Sequence, residues 1–401
     1  MPVIDAIGAS FIVTRFHTSV MFAPKIRGTA NAIAAGWGNL GGGVTNIVMP
    51  LLFPAIVAAG LTPHWVRPSG VPGLSYLYRP QLLMPAIQDK YGRTFRTLRV
   101  SLLQHCNLGC VYCVSGEEEV KQANAGKESL PVEELLAMIR RLRDQLPLDT
   151  VRLTGGEPLL YPGLAMLVRG IREMGISAVR LTTNGFLLER MAPALKEAGL
   201  DSLNVSLDAV DEDVFFRMSR RRSVERTIRG IDAAMVAGLA VKINSVMMKG
   251  VNDSQLMPLL EFAFARGLTI RFLEVMAMGH LHDQADRYLV TQEEILRVIG
   301  ERYPITPEPR PASATARYWT TEKGHRFGII ANESEPFCRD CDRLRLDSSG
   351  HIYGCLSSNQ PITLPVTGSD EEWHGKLKEA LAQKQELRFV GSDLSMLHIG
   401  G

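Results

Sequence analysis

The sequence predicts an α/β protein, a partial (βα)6 barrel followed by a C-terminal extension. Short β-branched runs alternate with amphipathic helical stretches through the middle of the chain. The 401 residues are 46% hydrophobic and 21% charged, ordinary values for a globular chain able to bury a large core. Six cysteines fall into two groups of three with none left over.

The strand-like runs begin at Leu98 (LRVSL), Val151 (VRLTG), Ala178 (AVRLTT), Ser202 (SLNVSL), Val241 (VKINSVMM) and Thr269 (TIRFLEV). Between them the apolar residues take helical spacing. Pro131 marks a helix start, and Leu135, Ile139 and Leu142 recur along one face. Thr291 and Glu294 have capping-box spacing. These βα units call for a parallel sheet whose strand C-termini carry the chemistry. The expected domains are a leader and linker over 1–88, the barrel over 89–305 and an extension over 306–401.

The leader has a different composition. It carries the run GWGNLGGG at 36–43 and an apolar stretch at 47–61 interrupted by Pro50 and Pro54, short for a membrane span. Residues 24–63 resemble a fragment of a nitrate/nitrite transporter of the major facilitator superfamily. One broken helix cannot make a transporter, so the leader is expected to be non-functional or disordered, with a membrane tether as the alternative.

The formal net charge of +2 is too small for bulk capture of nucleic acid, so an anionic ligand requires a local pocket. The cysteines are too few and too clustered for a secreted disulfide scaffold. Cys106, Cys110 and Cys113 form a Cx3Cx2C loop directly after the first strand. A structural zinc site usually completes four protein ligands. Three thiolates on one loop suit a 4Fe–4S cluster with one iron open to another ligand.

This loop, with Tyr112 before its last cysteine, resembles the radical S-adenosylmethionine (SAM) superfamily, whose fold is a TIM-like partial barrel. The resemblance implies that the open iron chelates SAM and that one-electron reduction yields a 5′-deoxyadenosyl radical. It also implies SAM contacts at Tyr112, at Gly156 and Glu157 of the TGGEP motif, at Ser206 of NVS and at Met276 after RFLEV.

The second group, Cys338, Cys341 and Cys355, has a CxxC pair followed by thirteen intervening residues, with Arg343-Leu344-Arg345 just after the pair. Alternation along a strand puts both arginines on one face, and guanidinium forks suit phosphate. This combination resembles the GTP 3′,8-cyclase family. The resemblance implies a second, substrate-binding 4Fe–4S cluster where guanine docks, with Arg343 and Arg345 catalytic. It implies GTP contacts at Arg99, Arg152, Thr182, Lys242, Arg271, Arg343, Leu344, Arg345, Gly400 and Gly401, the basic groups converging on one barrel mouth. Departures from the family pattern are Asp342, Tyr161, Thr150 and Ala277, which bear on hydrogen bonding around the ligands and on phosphate grip.

The implied reaction is abstraction of the C3′ hydrogen of GTP and attack of the carbon radical on C8, the first step of molybdenum-cofactor synthesis. The implied partners are GTP, an external electron donor and, as next enzyme, cyclic pyranopterin monophosphate synthase, in the cytoplasm, with no nucleic acid and no membrane. A homodimer stays open. The nearest rival is a radical SAM peptide maturase, which commonly has more auxiliary cysteines. A two-cluster electron-transfer protein would have no use for the GGEP motif or the arginines.

Overall fold

The computed structural model describes residues 87–116, 129–365 and 367–400. The leader up to residue 86, with its transporter-like stretch, and Gly401 lie outside the described residues. Residues 83–401 group as one compact unit.

The six expected runs form β1 (Thr97–Ser101), β2 (Thr150–Thr154), β3 (Ala178–Thr183), β4 (Ser202–Ser206), β5 (Ala240–Met247) and β6 (Thr269–Glu274). They pair in sequence order, all parallel. Helices Val132–Gln145, Leu164–Glu173, Leu188–Glu197, Val224–Val236 and Leu256–Ala265 lie between successive strands. Pro131, extended at φ −65° and ψ 161°, caps the first of them, whose Leu135, Ile139 and Leu142 are fully buried. The capping box of Thr291 and Glu294 opens helix Gln292–Gly300.

Strand alternation divides the sheet into two chemistries. Leu98, Val100, Val151, Leu153, Val179, Leu181, Leu203, Val205, Ile243, Ile270 and Phe272 point one way into the helix-covered core. Arg99, Arg152, Arg180, Asn204, Lys242 and Arg271 occupy the alternate positions, which the strand registers place on the opposite face.

The segment from residue 305 onward supplies β7 (Ile305–Pro307), β8 (Arg317–Thr321), β9 (Arg326–Ile330), β10 (Arg343–Leu346), β11 (His351–Tyr353) and β12 (Ile362–Thr363). The full order is β12-β11-β10-β1-β2-β3-β4-β5-β6-β9-β8-β7. The extension therefore flanks both edges of the six-strand core, with β10 parallel to β1 and β9 parallel to β6. The sheet curls. Arg99 on β1 feels the charge of Arg271 on β6, five strand spacings apart, which in a flat sheet would be roughly 24 Å. Among the described residues no helix is long and apolar enough to cross a membrane.

Candidate active site

At the C-terminal end of β1 the chain enters the Cys106–Cys113 loop. Backbone donors hold it from the side: Val111 N donates to Met218 O at 2.8 Å and Gly109 N to Ser219 O at 2.9 Å. Arg220, left-handed at φ 54°, donates to the carbonyls of Gly109, Val114 and Ser115. The Tyr112 hydroxyl donates to Asp208 at 3.0 Å, and Asp208 also accepts from Val246 N.

The TGGEP turn grips the same loop from beneath. Gly156 N donates to Leu103 O at 2.6 Å and Glu157 N to His105 O at 2.8 Å. A Cβ on Gly156 would run into the His105 carbonyl, so the close approach requires glycine. The Glu157 carboxylate is buried and accepts from Thr183 Oγ1 (2.6 Å), Asn184 N (2.7 Å) and Leu159 N (2.9 Å). Its oxygens are thus spent on joining the ends of β2 and β3. Asn184 in turn bonds Asn107 at 2.7 Å. Ser206 ends β4, and Met276 follows β6 in a small apolar cluster with Met278, Phe389 and Ile399.

Below the strand ends lies a basic tier. In register across neighbouring strands stand Arg345, Arg99, Arg152 and Arg180, and on the far side Asn244 accepts two bonds from Arg271 at 2.6 and 2.9 Å. These groups lie along the barrel interior, deeper than the mouth where the sequence reading placed them, because each sits mid-strand. Burial and then Arg345 and Arg152 push Arg99 well below its ordinary value. Burial, with Arg271 and Arg180, brings Arg152 down to about 9, and burial with Arg343 brings Arg345 to about 10. Arginine keeps its proton in proteins, so these shifts register the cost of burying the charges first and their mutual repulsion second, both of which a bound polyanion would offset. Two buried polar atoms here, Arg99 Nε and Ser101 Oγ, have no partner among the described residues. Thr182 lies on the same face, one residue pair from Arg180.

The Leu344 side chain alternates with those of Arg343 and Arg345 and is fully buried in the hydrophobic core, so only its backbone faces the interior where the arginines point.

The second cysteine group lies at the other end of the strands. Cys338 and Cys341 precede β10, which runs parallel to β1 with Thr97 opposite Arg343. Cys355 follows β11, which is antiparallel to β10. Arg93, paired with Asp89, donates to Cys338 O at 2.6 Å. Lys384, buried against the Phe95 ring, reaches Cys341 Sγ at 3.5 Å and donates to Arg343 O. Asp342 accepts from the Thr97 hydroxyl at 3.2 Å.

The two thiol environments differ. Burial pushes Cys106 up to about 12, and burial with Asp208, Cys106 and Cys113 raises Cys110 well above its ordinary value. Burial also lifts Cys338, to about 11. For Cys341 burial is the largest influence and raises it, but Lys384 and Arg343 together outweigh it and bring the thiol down to about 7. Among the described residues no three His, Cys, Asp or Glu side chains close on a single point as ligands of one metal ion would. A cluster asks for something else, since each cysteine binds a different iron. Each trio does consist of neighbours close enough to repel one another as thiolates, which fits a cluster ligand set.

The C-terminal tail joins the two ends. Ser392 N donates to Ala277 O and Gly279 N to Ser392 O, beside Met276. Asn359, four positions after Cys355, accepts from Ser392 Oγ (2.7 Å) and Asp393 N (3.0 Å) and donates to Asp393 Oδ2 (2.6 Å). Gly400, at φ 74°, then lies against Thr154 and Ser101, where a Cβ would meet Thr154 Cγ2 at 2.7 Å. Its carbonyl accepts from Arg345.

Sequence reasoning missed Arg180, Asn244 and Lys384. Arg180 carried a readable signal, because Val151-Arg152-Leu153-Thr154 recurs as Val179-Arg180-Leu181-Thr182.

The radical SAM superfamily profile matches residues 100–263, and the molybdenum cofactor synthesis C-terminal domain matches residues 268–389. A GTP 3′,8-cyclase of Corynebacterium glutamicum is 37% identical over 342 residues, covering 78% of this chain and 89% of that protein. The chain belongs to the GTP 3′,8-cyclase family. Another member of that family, from Streptomyces coelicolor, is 39% identical over 328 residues, 78% of this chain and 96% of that protein. Among solved structures, SuiB of Streptococcus suis bound to the precursor peptide SuiA matches with a TM-score of 0.53 at 16% identity, over 73% of this chain and 71% of that one. That likeness is one of fold alone.

Proposed function

We propose that the protein is a radical SAM GTP 3′,8-cyclase, converting GTP to (8S)-3′,8-cyclo-7,8-dihydroguanosine 5′-triphosphate at the start of molybdenum-cofactor synthesis. The observation that carries this is the pair of cysteine trios at opposite ends of one arginine-lined interior. Cys106, Cys110 and Cys113 would hold the SAM-binding 4Fe–4S cluster, and Cys338, Cys341 and Cys355 the substrate-side one. When bound, these groups supply the electron and the radical chemistry.

The chain's own residues do the rest. Arg99, Arg152, Lys242, Arg271, Arg343 and Arg345 hold the triphosphate, and the tail running to Gly400 closes the interior between the clusters. Anchoring base and phosphates separately leaves the ribose presented to the SAM end, with C3′ and C8 confined to a bonding geometry. Burial of the basic tier excludes water from the reacting atoms. Tyr112, Gly156, Glu157, Ser206 and Met276 shape the SAM side. An external reductant, cyclic pyranopterin monophosphate synthase downstream and a cytoplasmic setting complete the reading.

The deciding experiment is anaerobic reconstitution followed by incubation with SAM, a reductant and GTP. Formation of 5′-deoxyadenosine together with the cyclised nucleotide is expected. Cleavage of SAM that neither depends on GTP nor yields cyclised product would overturn it.

A further inference from the structure

Tyr318 points into the barrel from β8, a strand outside the six-strand core, and the sheet register explains how. Arg271 on β6, Gly328 on β9 and Tyr318 on β8 stand in one row across three adjacent strands. A Cβ on Gly328 would lie 2.9 Å from two ring carbons of Tyr318, so the phenol lies across the space that glycine leaves. Arg326 stacks on the ring at 3.7 Å from its centroid and is itself held by three bonds of 2.6 to 3.0 Å to Glu308. The ring is therefore fixed in place. Lys242 Nζ lies 5.6 Å from the ring centroid, and Arg271, Lys242 and Arg152 all feel the phenol electrostatically.

We propose that Tyr318 is a further substrate-binding residue, whose hydroxyl donates to an oxygen of the nucleotide's phosphate chain beside Arg271 and Lys242. This deepens the GTP reading above and rests on it. A phenol adds a donor without adding a positive charge to a tier whose cations already repel one another. The neighbouring Arg326 cannot take this part, because Glu308 has claimed its fork. A hydroxyl held in place can accept from the cations beside it and donate its own proton to the anion at the same time.

The test uses the full-length, anaerobically reconstituted protein and Tyr318→Phe, which keeps the ring and its stacking. Calorimetric titration with inorganic triphosphate should show binding weakened about tenfold or more, in line with loss of one hydrogen bond to a charged group. The KM for GTP should rise in the same proportion, with kcat changed less than about twofold and iron content unchanged. Equal triphosphate binding and equal KM in the two proteins would reduce Tyr318 to a packing residue and overturn the proposal, as would wild-type protein that does not bind triphosphate. Wild-type protein that binds triphosphate more tightly than Tyr318→Phe yet makes no cyclised nucleotide would instead remove the GTP reading and leave this contact standing.

Discussion

The guanidinium of Arg345 donates to the backbone carbonyl of Gly400, so a strand that begins two residues after Cys341 holds the tail inside the barrel. Lysine would keep the charge but lose the planar fork. Arg345→Lys is expected to lower formation of cyclised nucleotide by about tenfold or more, since a hydrogen bond to a charged group is worth roughly 1.5–3 kcal/mol. Iron content should match the wild type. Undiminished product would make the contact incidental.

Asn359 secures the same tail through three bonds to Ser392 and Asp393. Asn359→Ala should therefore expose the last ten residues to carboxypeptidase or limited proteolysis and lower turnover about tenfold, with both clusters still assembled. Wild-type protection of the tail would show that its pairing with Ala277 and Gly279 suffices.

The two cysteine trios should separate by function. Cys110→Ala is expected to abolish SAM cleavage. Cys341→Ala should allow some uncoupled 5′-deoxyadenosine but no cyclised nucleotide. Product at the wild-type rate from the Cys341 variant would remove the second trio from the substrate site.

Gly156 leaves no room for a methyl group beneath the His105 carbonyl. Gly156→Ala must push the first cysteine loop away from β2, with a stability loss of about 2–4 kcal/mol. The expected readout is a lower Tm and iron content near half of normal, the second site remaining loaded. Full iron content with normal Tm would mean the loop yields freely.

The leader is compositionally foreign to the enzyme. Deletion of the residues before about Gln81 is expected to leave cluster content and turnover intact, measured by iron assay and product formation. Loss of loaded protein would assign the leader to the fold.

The six core strands were legible because each buries one face against helices, and period-two alternation survives in a single sequence. Local caps at Pro131 and Thr291 were legible for the same reason, as both depend on a few adjacent residues. The cysteine trios showed in their spacing. Tyr318 did not, because its orientation depends on Gly328 in a neighbouring strand, and pairing across a sheet leaves no local trace. Lys384 was equally hidden, 43 positions from the thiol it touches.

The last strands to be synthesised flank both edges of a sheet whose centre is made first, with β10 beside β1 and β9 beside β6. A nascent chain that has emerged only through β6 carries two unpaired strand edges, each a template for the wrong partner. Native closure waits for contacts between the two ends of the enzyme, and such long-range pairings form slowly. A premature stop ahead of β10 should consequently yield aggregated chain rather than a soluble barrel lacking its second cluster, and slow translation across the final third would lengthen the time the protein depends on chaperones.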